Sequence, residues 1–499
     1  MILLRSLRLE EGEPLDALRK KAAKKLGVPE SEIVSLRRGE EKALRRGAEP
    51  YTEPVYDIPR VQTDERPVIA GFGPAGMFSA LVLARAGARP IVLERGKDVD
   101  ARLRDVERFR AGGALDPESN VQFGEGGAGT FSDGKLNTST HDGRIFWVLR
   151  EFAAHGAPER VTWEAKPHIG TDVLVDVVRS IREEIVALGG EVRFGARLDG
   201  LVAEDGALAA LRVMQAGEET LLPCRRLILA VGHSARDSFE MLHALGVPME
   251  RKSFSMGLRI EHRQADVDLA QYGRPRAKLP PADYSLSVHL PDGNSAYTFC
   301  MCPGGKIFAA ASEEGGVVTN GMSYSDRGGE NANAALLVTL RAEDFPGEGV
   351  LAGMRWQREL ERAAYRYTGS YRAPAQLAGD FLARRKSAGP GRVRPSYEPG
   401  VVWGELHAFL PERVTDVLEQ AIPALGRKLQ GFDDPEAVLT APETRSSSPV
   451  RILRDGTLQS ALRGLYPCGE GAGYAGGITS AAVDGMRCAE AVLQALQNE

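Results

Sequence analysis

The sequence has little of several features that would assign it to a specialised class. Only five of its 499 residues are cysteines, an odd number without regular spacing. We therefore expect no disulfide framework, and a reduced, cytoplasmic location. No apolar run approaches the roughly 18 residues that span a bilayer, so no membrane association is expected. Aromatic residues make up only 6%, whereas the 56 glycines predict many tight turns and close backbone approaches.

Neither sign of charge dominates. The chain has 63 lysines and arginines against 68 aspartates and glutamates, a net charge of -5. This balance predicts no general surface for nucleic acid or anionic lipid. The opening stretch MILLRSLRLEEGEP is charged at its fifth residue, so we expect no signal peptide there. A chain of 499 residues is too long to fold around one ordinary hydrophobic core, so the length predicts two or three domains.

Residues 1–60 are predicted to form a small α+β module. ILLRSLRL alternates as a strand does, and EPLDALRKKAAKKLG has helical spacing. The basic runs LRKKAAKK and RRGEEKALRRG raise the alternative of RNA binding, but the acidic residues among them favour ordinary solvated faces. PRVQTDERP, residues 59–67, then has the composition of a linker.

The remainder is predicted to be one nucleotide-binding domain interrupted by an insertion. PVIAGFGPAGMFSALVLARAGARPIVLERG gives a buried strand, a glycine turn, a helix and a second strand, the start of a βαβ unit. We assign residues 67–247 to the first part of this domain. Residues 248–440 alternate as strands do and are predicted to form an inserted β-rich domain. Residues 441–499 return to the first domain with LYPCGEGAGYAGG and a final helix.

The glycine turn has the spacing that dinucleotides require. Gly71 permits the tight turn, Gly73 permits close approach of a pyrophosphate, and Gly76 permits close packing of helix on strand. Glu94 follows at the end of the second strand, where an acid accepts hydrogen bonds from ribose hydroxyls. Arg95 is a further candidate contact to phosphate or ribose, with a plain surface residue as the alternative.

Three later segments favour FAD over NAD. VQFGEGGAGTFSDGKLNTSTHD, residues 121–142, offers free backbone donors with little side-chain bulk, which suits a ribityl chain and flavin ring. The strand RLILAVGHSA ends in small residues, Ala230 and Gly232, that permit close approach. Near the C-terminus a short strand ends at Glu470, and Gly476–Gly477 begin a helix whose N-terminus would stabilise charge on a reduced flavin.

The order of these motifs resembles that of FAD-dependent oxidoreductases with the glutathione-reductase-type fold. Within them the chain is most similar to a bacterial family of uncharacterised FAD-dependent dehydrogenases. The resemblance is carried over nearly the whole chain by stretches such as GFGPAG, QFGEGGAGTFSDGKL, KPHIGTD, LILAVGHSARDSFEML, TFCMCPGG and ETRSSSPVRI. It implies an α/β fold: a Rossmann-like FAD-binding domain interrupted by a β-rich α+β substrate domain.

The resemblance also assigns roles to residues. It implies that the glycine loop holds the pyrophosphate, Glu94 the ribose and Leu198 the adenine. Glu470 would contact the ribityl chain, where aspartate is more frequent in the superfamily. With the residues above, the predicted FAD site comprises Gly71, Gly73, Pro74, Ala75, Gly76, Glu94, Arg95, Gly127, Ala128, Gly129, Thr130, Lys135, Leu198, Ala230, Gly232, Gly469, Glu470, Gly476, Gly477 and Ile478.

The sequence offers three candidate catalytic residues. His168 and His233 lie beside cofactor-type turns and titrate near neutral pH, although a histidine bonded to backbone is the favoured alternative for each. Arg445 precedes the return to the first domain and is a candidate for binding an anionic substrate, with an ion pair at the domain interface as the equal alternative. Cys300 and Cys302 alternate in a predicted strand and are interpreted as buried hydrophobic residues sharing one face. No metal site is predicted.

We therefore expect an FAD-dependent oxidoreductase that transfers hydride between flavin and a small molecule. No second βαβ dinucleotide unit is predicted between Gly232 and Tyr466, so a separate NAD(P)H domain is not expected, and NAD(P)H remains a candidate transient donor. The alternatives are an NAD(P)H-using flavin monooxygenase, a flavin-binding RNA-modifying enzyme, or a non-catalytic flavin-binding protein. Nucleic acid is not an expected partner.

Overall fold

A computed structural model describes residues 17–32, 55–276 and 279–498. The predicted strand ILLRSLRL lies outside these residues, as does the second basic run RRGEEKALRRG. The helices are α1 (Ala17–Leu26), α2 (Pro74–Ala86), α3 (Val99–Arg110), α4 (Arg144–Ala154), α5 (Thr171–Ala187), α6 (Arg236–Ala244), α7 (Gln264–Tyr272), α8 (Ala352–Thr368), α9 (Ala378–Leu382), α10 (Glu412–Gly426) and α11 (Ile478–Gln497).

The strands belong to five sheets. They are β1 (Val68–Ala70), β2 (Ile91–Glu94), β3 (Glu191–Phe194), β4 (Ala196–Glu204), β5 (Ala207–Gln215), β6 (Glu218–Pro223), β7 (Leu227–Leu229), β8 (Met249–Arg251), β9 (Phe254–Arg263), β10 (Ser287–His289), β11 (Ser295–Cys302), β12 (Lys306–Ala309), β13 (Thr319–Met322), β14 (Asn331–Leu340), β15 (Ala373–Leu377), β16 (Val401–Trp403), β17 (Val438–Glu443), β18 (Val450–Ile452) and β19 (Leu465–Pro467).

A five-stranded parallel sheet forms the centre of the nucleotide-binding domain. Its order is β19-β7-β1-β2-β3, so the strand order reverses between β1 and β7. The central strand β1 is apolar and every residue of it is buried, as expected for a covered parallel sheet. The chain leaves this sheet after β7 and returns at β19 only after the whole insertion. In open parallel sheets, ligands bind beyond the carboxyl ends of the strands where the order reverses.

The helices on this sheet bring the two ends of the domain together. Apolar side chains of α2, α4, α5 and α11 share one core. Helices α2 and α11 cross so closely that a Cβ atom on Gly485 would lie 2.1 Å from the Ala75 carbonyl oxygen. Only glycine fits at that crossing, which fixes the C-terminal helix against the glycine turn. A three-stranded antiparallel sheet, β4-β5-β6, connects β3 to β7.

The insertion is built on a seven-stranded sheet in the order β10-β11-β14-β9-β17-β15-β16. All neighbouring pairs are antiparallel except β15 and β16. Its last strand in sequence, β17, ends at Glu443, so the predicted division at residue 440 falls within a strand. The predicted fold class, a Rossmann-like domain interrupted by a β-rich domain, is confirmed for the described residues.

Candidate functional site

A cleft of about 460 Å³ lies where β1, β7 and β19 end and where the seven-stranded sheet meets the parallel sheet. The volume is within the range of roughly 300–1,000 Å³ that is usual for ligand and cofactor sites. The predicted residues that line it are Gly71, Gly73, Pro74, Ala75, Glu94, Arg95, Gly127, Ala128, Gly129, Lys135, Leu198, Ala230, Gly232, His233, Arg445, Glu470, Gly476, Gly477 and Ile478.

The three glycines of the first turn differ in what surrounds them. Gly71 has a φ of +97°, and a Cβ there would lie 2.3 Å from the Ala230 carbonyl oxygen. A Cβ on Gly76 would lie 1.9 Å from the Gly71 carbonyl oxygen. At Gly73 the nearest atom would be 3.7 Å away, an ordinary contact. The protein itself thus requires glycine at the first and third positions, whereas the second faces the cleft beside the uncapped N-terminus of α2.

Four predicted residues do not reach the cleft. Gly76 supports the turn from behind, and a Cβ on Gly469 would collide with the Ala75 side chain at 2.8 Å. Thr130 is buried, and its hydroxyl donates to the Glu125 carbonyl at 3.3 Å. His168 Nε2 lies 3.5 Å from the Ser325 carbonyl oxygen. Burial lowers the pKa of His168. His168 therefore makes a contact with the backbone, which was the alternative to a catalytic role for this residue.

Glu94 ties two loops together at the edge of the cleft. Its buried carboxylate accepts hydrogen bonds from the backbone N–H groups of Phe72 at 2.8 Å, Gly96 at 2.8 Å and Gly124 at 2.9 Å. A carboxylate has about four lone-pair sites, so acceptor capacity remains for a ribose hydroxyl. The ribose contact itself stays a prediction.

Arg95 lines the cleft with a guanidinium that is already engaged. It bonds Glu118 at 2.7 Å and Asp237 at 2.9 Å, and lies 4.2 Å from the centre of the Phe123 ring. Four of its five N–H donors are used in these two ion pairs. This arrangement leaves Arg95 little capacity to bind phosphate through its side chain.

Arg102 organises the second loop, and no sequence pattern indicates this role. The side chain is fully buried and donates to five backbone carbonyls, those of Asn120, Val121, Gly124, Glu125 and Gly127, at 2.6–3.3 Å. Burial lowers the pKa of Arg102 to about 10. The bonded carbonyls turn inward, and the loop approaches the first turn so closely that a Cβ on Gly127 would lie 2.9 Å from Gly73 Cα.

The C-terminal glycine loop belongs to the same cleft as the first one. A Cβ on Gly471 would lie 2.6 Å from the Gly232 carbonyl carbon, so the loop packs against the end of β7. Gly476 and Gly477 face open space, since a Cβ on either would have no protein atom within 4 Å. They precede the uncapped N-terminus of α11, where a Cβ on Gly129 would lie 3.2 Å from Ile478 Cγ1.

His233 and Glu470 meet at this end of the cleft. His233 Nδ1 lies 3.2 Å from Glu470 Oε1, and Nε2 is buried without a hydrogen-bond partner among the described residues. The contact orients the imidazole and leaves Nε2 available to a ligand. The sequence motifs single out both residues but do not pair them, because they are more than two hundred positions apart.

Arg445 takes part in a buried ion pair as well as lining the cleft. Its guanidinium bonds Glu361 at 2.8 and 3.0 Å, and Arg236 bonds the same carboxylate at 2.8 and 2.9 Å. Although burial acts to raise it, the two arginines lower the pKa of Glu361 well below its usual range. Helix α8 of the insertion is thereby attached to α6 of the nucleotide-binding domain. The interface ion pair is present, and binding of an anionic substrate by Arg445 stays a prediction.

The insertion contributes ionisable side chains that the sequence motifs do not indicate. Glu443, at the end of β17, lines the cleft and bonds the fully buried Arg259 at 2.7 Å. Burial raises the pKa of Glu443 to about 7. Tyr284 also lines the cleft, and its hydroxyl is buried without a partner among the described residues. Burial raises the pKa of Tyr284 as well.

The interpretation of Cys300 and Cys302 as two buried residues is wrong for Cys300, which is only partly buried. The pairing of β11 with β14 shifts by one residue between Phe299 and Cys302, which interrupts the strand alternation. Cys302 is buried, whereas Cys300 has a φ of +43° and lines the cleft. A bulge cannot be read from strand periodicity, so no pattern in the sequence indicates this geometry.

The cleft fits FAD at both ends. Two helix N-termini without side-chain caps, those of α2 and α11, open into it, as a pyrophosphate and a reduced flavin require. Gly73, Gly476 and Gly477 leave space that any side chain would fill.

Among the described residues, none of the helices combines the length and the apolar character needed to cross a bilayer.

Comparison with known proteins relates the chain to FAD-dependent proteins. Residues 253–446 match a family model described as "FAD-dependent protein, C-terminal domain-like". An uncharacterized protein of Clostridium beijerinckii is 50% identical over 434 residues, which cover 86% of this chain and 81% of that protein. Aklavinone 12-hydroxylase DnrF of Streptomyces peucetius subsp. caesius is 30% identical over 178 residues, 33% of this chain and 35% of the hydroxylase.

Among solved structures, similarity is weaker. A glycerol-3-phosphate dehydrogenase from Bacillus halodurans complexed with FAD is 12% identical, with a TM-score of 0.38 over 87% of this chain and 65% of that one. A geranylgeranyl bacteriochlorophyll reductase-like protein from Thermoplasma acidophilum is 13% identical, with a TM-score of 0.39 over 87% and 79%. Scores this low support no functional conclusion. The motifs, the family model and the extensive identity to the clostridial protein show that FAD is the cofactor and that the chain belongs to a bacterial family of uncharacterised FAD-dependent oxidoreductases.

Proposed function

We propose that the protein transfers hydride between FAD and a small molecule bound between the flavin end of the cleft and the seven-stranded sheet. The observation that carries this proposal is a pair of unsatisfied polar atoms. The residues His233 and Tyr284 line one cleft, and His233 Nε2 and the Tyr284 hydroxyl are both buried without a partner among the described residues. Buried polar atoms are nearly always hydrogen-bonded in native proteins, so two in one cleft indicate a polar ligand.

The residues divide between holding the cofactor and acting on the ligand. The glycine loops and the helix N-termini of α2 and α11 hold the pyrophosphate and flavin ends, and FAD supplies the hydride chemistry when bound. His233 holds or moves a proton at Nε2 while Glu470 fixes the ring through Nδ1. Tyr284 donates a hydrogen bond from its hydroxyl, because its raised pKa keeps it protonated.

The physiological electron donor is part of the proposal. The described residues contain one parallel sheet with a glycine turn, so NAD(P)H would dock transiently rather than on a domain of its own. The test is anaerobic: the purified holoprotein is mixed with NADH, NADPH and a metabolite panel, and the visible flavin absorbance is followed. Bleaching by a panel compound supports the proposal. A flavin that no compound and no reductant bleaches reversibly would overturn it.

Variants test the assigned residues. We expect His233→Gln to slow flavin reduction by the substrate roughly 100-fold, in the range typical of a lost general acid or base, with FAD affinity unchanged. His243→Gln, an exposed histidine on α6, is the matched control and should react at the parent rate. Equal rates for both variants would remove His233 from the reaction.

A second candidate function is NAD(P)H-dependent monooxygenation. The local 30% identity to Aklavinone 12-hydroxylase favours it. Under this alternative NAD(P)H bleaches the flavin, and one atom of O₂ appears in a product. Peroxide release without a hydroxylated product contradicts the alternative, and anaerobic reduction by the substrate itself favours the first proposal.

A further inference from the structure

Two cysteines lie at the wall that the insertion presents to the cleft. Cys300 lines the cleft on β11, next to Phe299 and Met301, whereas Cys302 is fully buried behind it. The five cysteines of the chain are all free. The other three, Cys224, Cys468 and Cys488, are buried. Cys300 is thus the cysteine whose side chain is only partly buried, and it is open to the cofactor cleft.

A bulge in the backbone places the Cys302 sulfur beside Cys300. Three residue steps from Phe299 to Cys302 face only two steps from Ala335 to Asn333 on β14, so one residue is extra. In a regular strand, residues two apart have Cα atoms roughly 6.6 Å apart, near the upper limit for a disulfide. The bulge interrupts this regular spacing, and Cys300 within it has a positive φ of +43°. The Cys302 thiol donates to the Cys300 carbonyl oxygen at 3.2 Å, so its sulfur lies against the bulge.

Two cations hold the bulge in this conformation. Arg259 Nη1 donates to the Cys300 carbonyl at 3.0 Å, and Lys135 Nζ donates to the Met301 carbonyl. Arg259 is fixed by Glu443, and Lys135 by Asp133 at 2.7 Å. A left-handed conformation is unfavourable for a residue with a side chain, and it persists where neighbouring groups determine it. Lys135 belongs to the glycine-rich loop of the FAD site, so the bulge and that loop are directly connected.

The same groups set the ionisation of the thiols. Interaction with the Cys302 side chain lowers the pKa of Cys300 to about 5, with help from Lys135 and Arg259 and against burial. The same interaction and burial raise the pKa of Cys302 well above its usual range. The charged and titratable groups that face the pair from other elements are Asp133, Lys135, Arg259, Tyr284 and Glu443.

We propose that Cys300 and Cys302 form a redox-active pair that exchanges two electrons with the bound FAD. In the oxidative direction the Cys300 thiolate and the Cys302 thiol form one S–S bond and release two electrons and one proton. Both electrons and the proton pass to FAD, which becomes FADH⁻. The reverse reaction breaks the S–S bond and restores the thiolate and the thiol. This function goes beyond hydride transfer with a small molecule and does not depend on its identity.

An anaerobic reductive titration tests the electron count. The holoprotein is first oxidised with diamide, freed of excess reagent, and titrated with dithionite. We expect four electrons per FAD for the parent protein, and two for Cys300→Ser and for Cys302→Ala. Cys224→Ser removes a distant buried thiol and should still take up four. Two electrons in the parent protein, or four in either pair variant, would overturn the proposal.

Alkylation tests the pair without using the flavin. The full-length protein is treated with iodoacetamide across pH, and modification of Cys300 is measured by peptide mass spectrometry. We expect a half-maximal rate near pH 5, against roughly 8.5 for an ordinary cysteine. After diamide the peptide carrying both cysteines should have lost two hydrogens. A midpoint near 8.5, or a peptide of unchanged mass, contradicts the pair even if FAD reacts with a substrate as proposed above.

Discussion

The two sides of the cleft present different kinds of group to a ligand. The side formed by the parallel sheet offers glycines, small residues and two helix N-termini, and its main carboxylate, Glu94, is bonded to backbone. The side formed by the insertion offers the thiol of Cys300, the buried hydroxyl of Tyr284 and the carboxylate of Glu443. Burial raises the pKa of Glu443 to about 7. The first side is suited to hold a cofactor through its backbone.

This difference indicates where the specificity of the protein resides. Backbone donors and helix dipoles bind FAD in any enzyme that uses it, so they carry no information about the second substrate. Ionisable side chains with unsatisfied or perturbed atoms do carry such information. We therefore expect substitutions in the glycine loops and at Arg102, on the parallel-sheet side, to change FAD affinity and stability. Substitutions on the insertion side, and at His233 on the parallel-sheet side, should change reactivity.

The largest effect is expected at Arg102, which holds the second loop on the parallel-sheet side. Arg102→Met leaves five buried carbonyls without their donor. We expect the free energy of unfolding to fall by about 3 kcal/mol, measured by urea denaturation. Arg104→Met, an exposed position on the same helix, is the control and should change it by less than about 0.5 kcal/mol. Equal stabilities would show that Arg102 does not support the loop.

The next effect is expected at Gly73. Its φ of -76° accepts any residue, and a Cβ there meets only an ordinary contact at 3.7 Å. Gly73→Val should therefore fold normally and weaken FAD binding at least tenfold, about 1.4 kcal/mol. Fluorescence titration of the apoprotein measures this affinity. Gly456→Val, at an exposed glycine with open space around it, should bind FAD as the parent does. Unchanged affinity in Gly73→Val would remove this glycine from the cofactor site.

A smaller effect is expected on the insertion side. Lys135→Gln removes a cation that favours the Cys300 thiolate, so Cys300 should hold its proton to higher pH. We expect the alkylation midpoint to rise by about one pH unit. Lys166→Gln, which removes an exposed lysine that also lines the cleft, should leave the midpoint unchanged. If Lys135→Gln lowers FAD affinity without moving the alkylation midpoint, Lys135 contributes to FAD binding and not to the ionisation of Cys300. That result would contradict the role given to Lys135 on the insertion side of the cleft.

The features that the sequence predicts well depend on contacts between residues that are near one another in the sequence. The turn at Gly71, the helix after it and the acid at Glu94 form a local unit whose spacing is fixed by the geometry of a βαβ start. The return of the chain at β19 is also predictable, because a short apolar strand followed by glycines and a helix completes such a domain.

The remaining features depend on partners that sequence patterns do not encode. Arg102 bonds backbone carbonyls, which every residue possesses, so nothing in their sequence marks them as its partners. The bulge at Cys300 is fixed by Arg259 and Lys135 from two other segments, so strand alternation does not predict that Cys300 lines the cleft. His233 and Glu470 meet only because β7 and β19 are neighbours in the sheet.

The central claim is that the first and last glycine loops are two ends of one FAD site, and Gly476 tests it most directly. No protein atom lies within 4 Å of a Cβ at this exposed position, so only a ligand would meet the new side chain of Gly476→Val. The measurement is the FAD dissociation constant of this variant beside that of Gly456→Val. We predict binding at least tenfold weaker, about 1.4 kcal/mol, for Gly476→Val alone. The same dissociation constant in both variants would contradict a site that extends to the C-terminal loop.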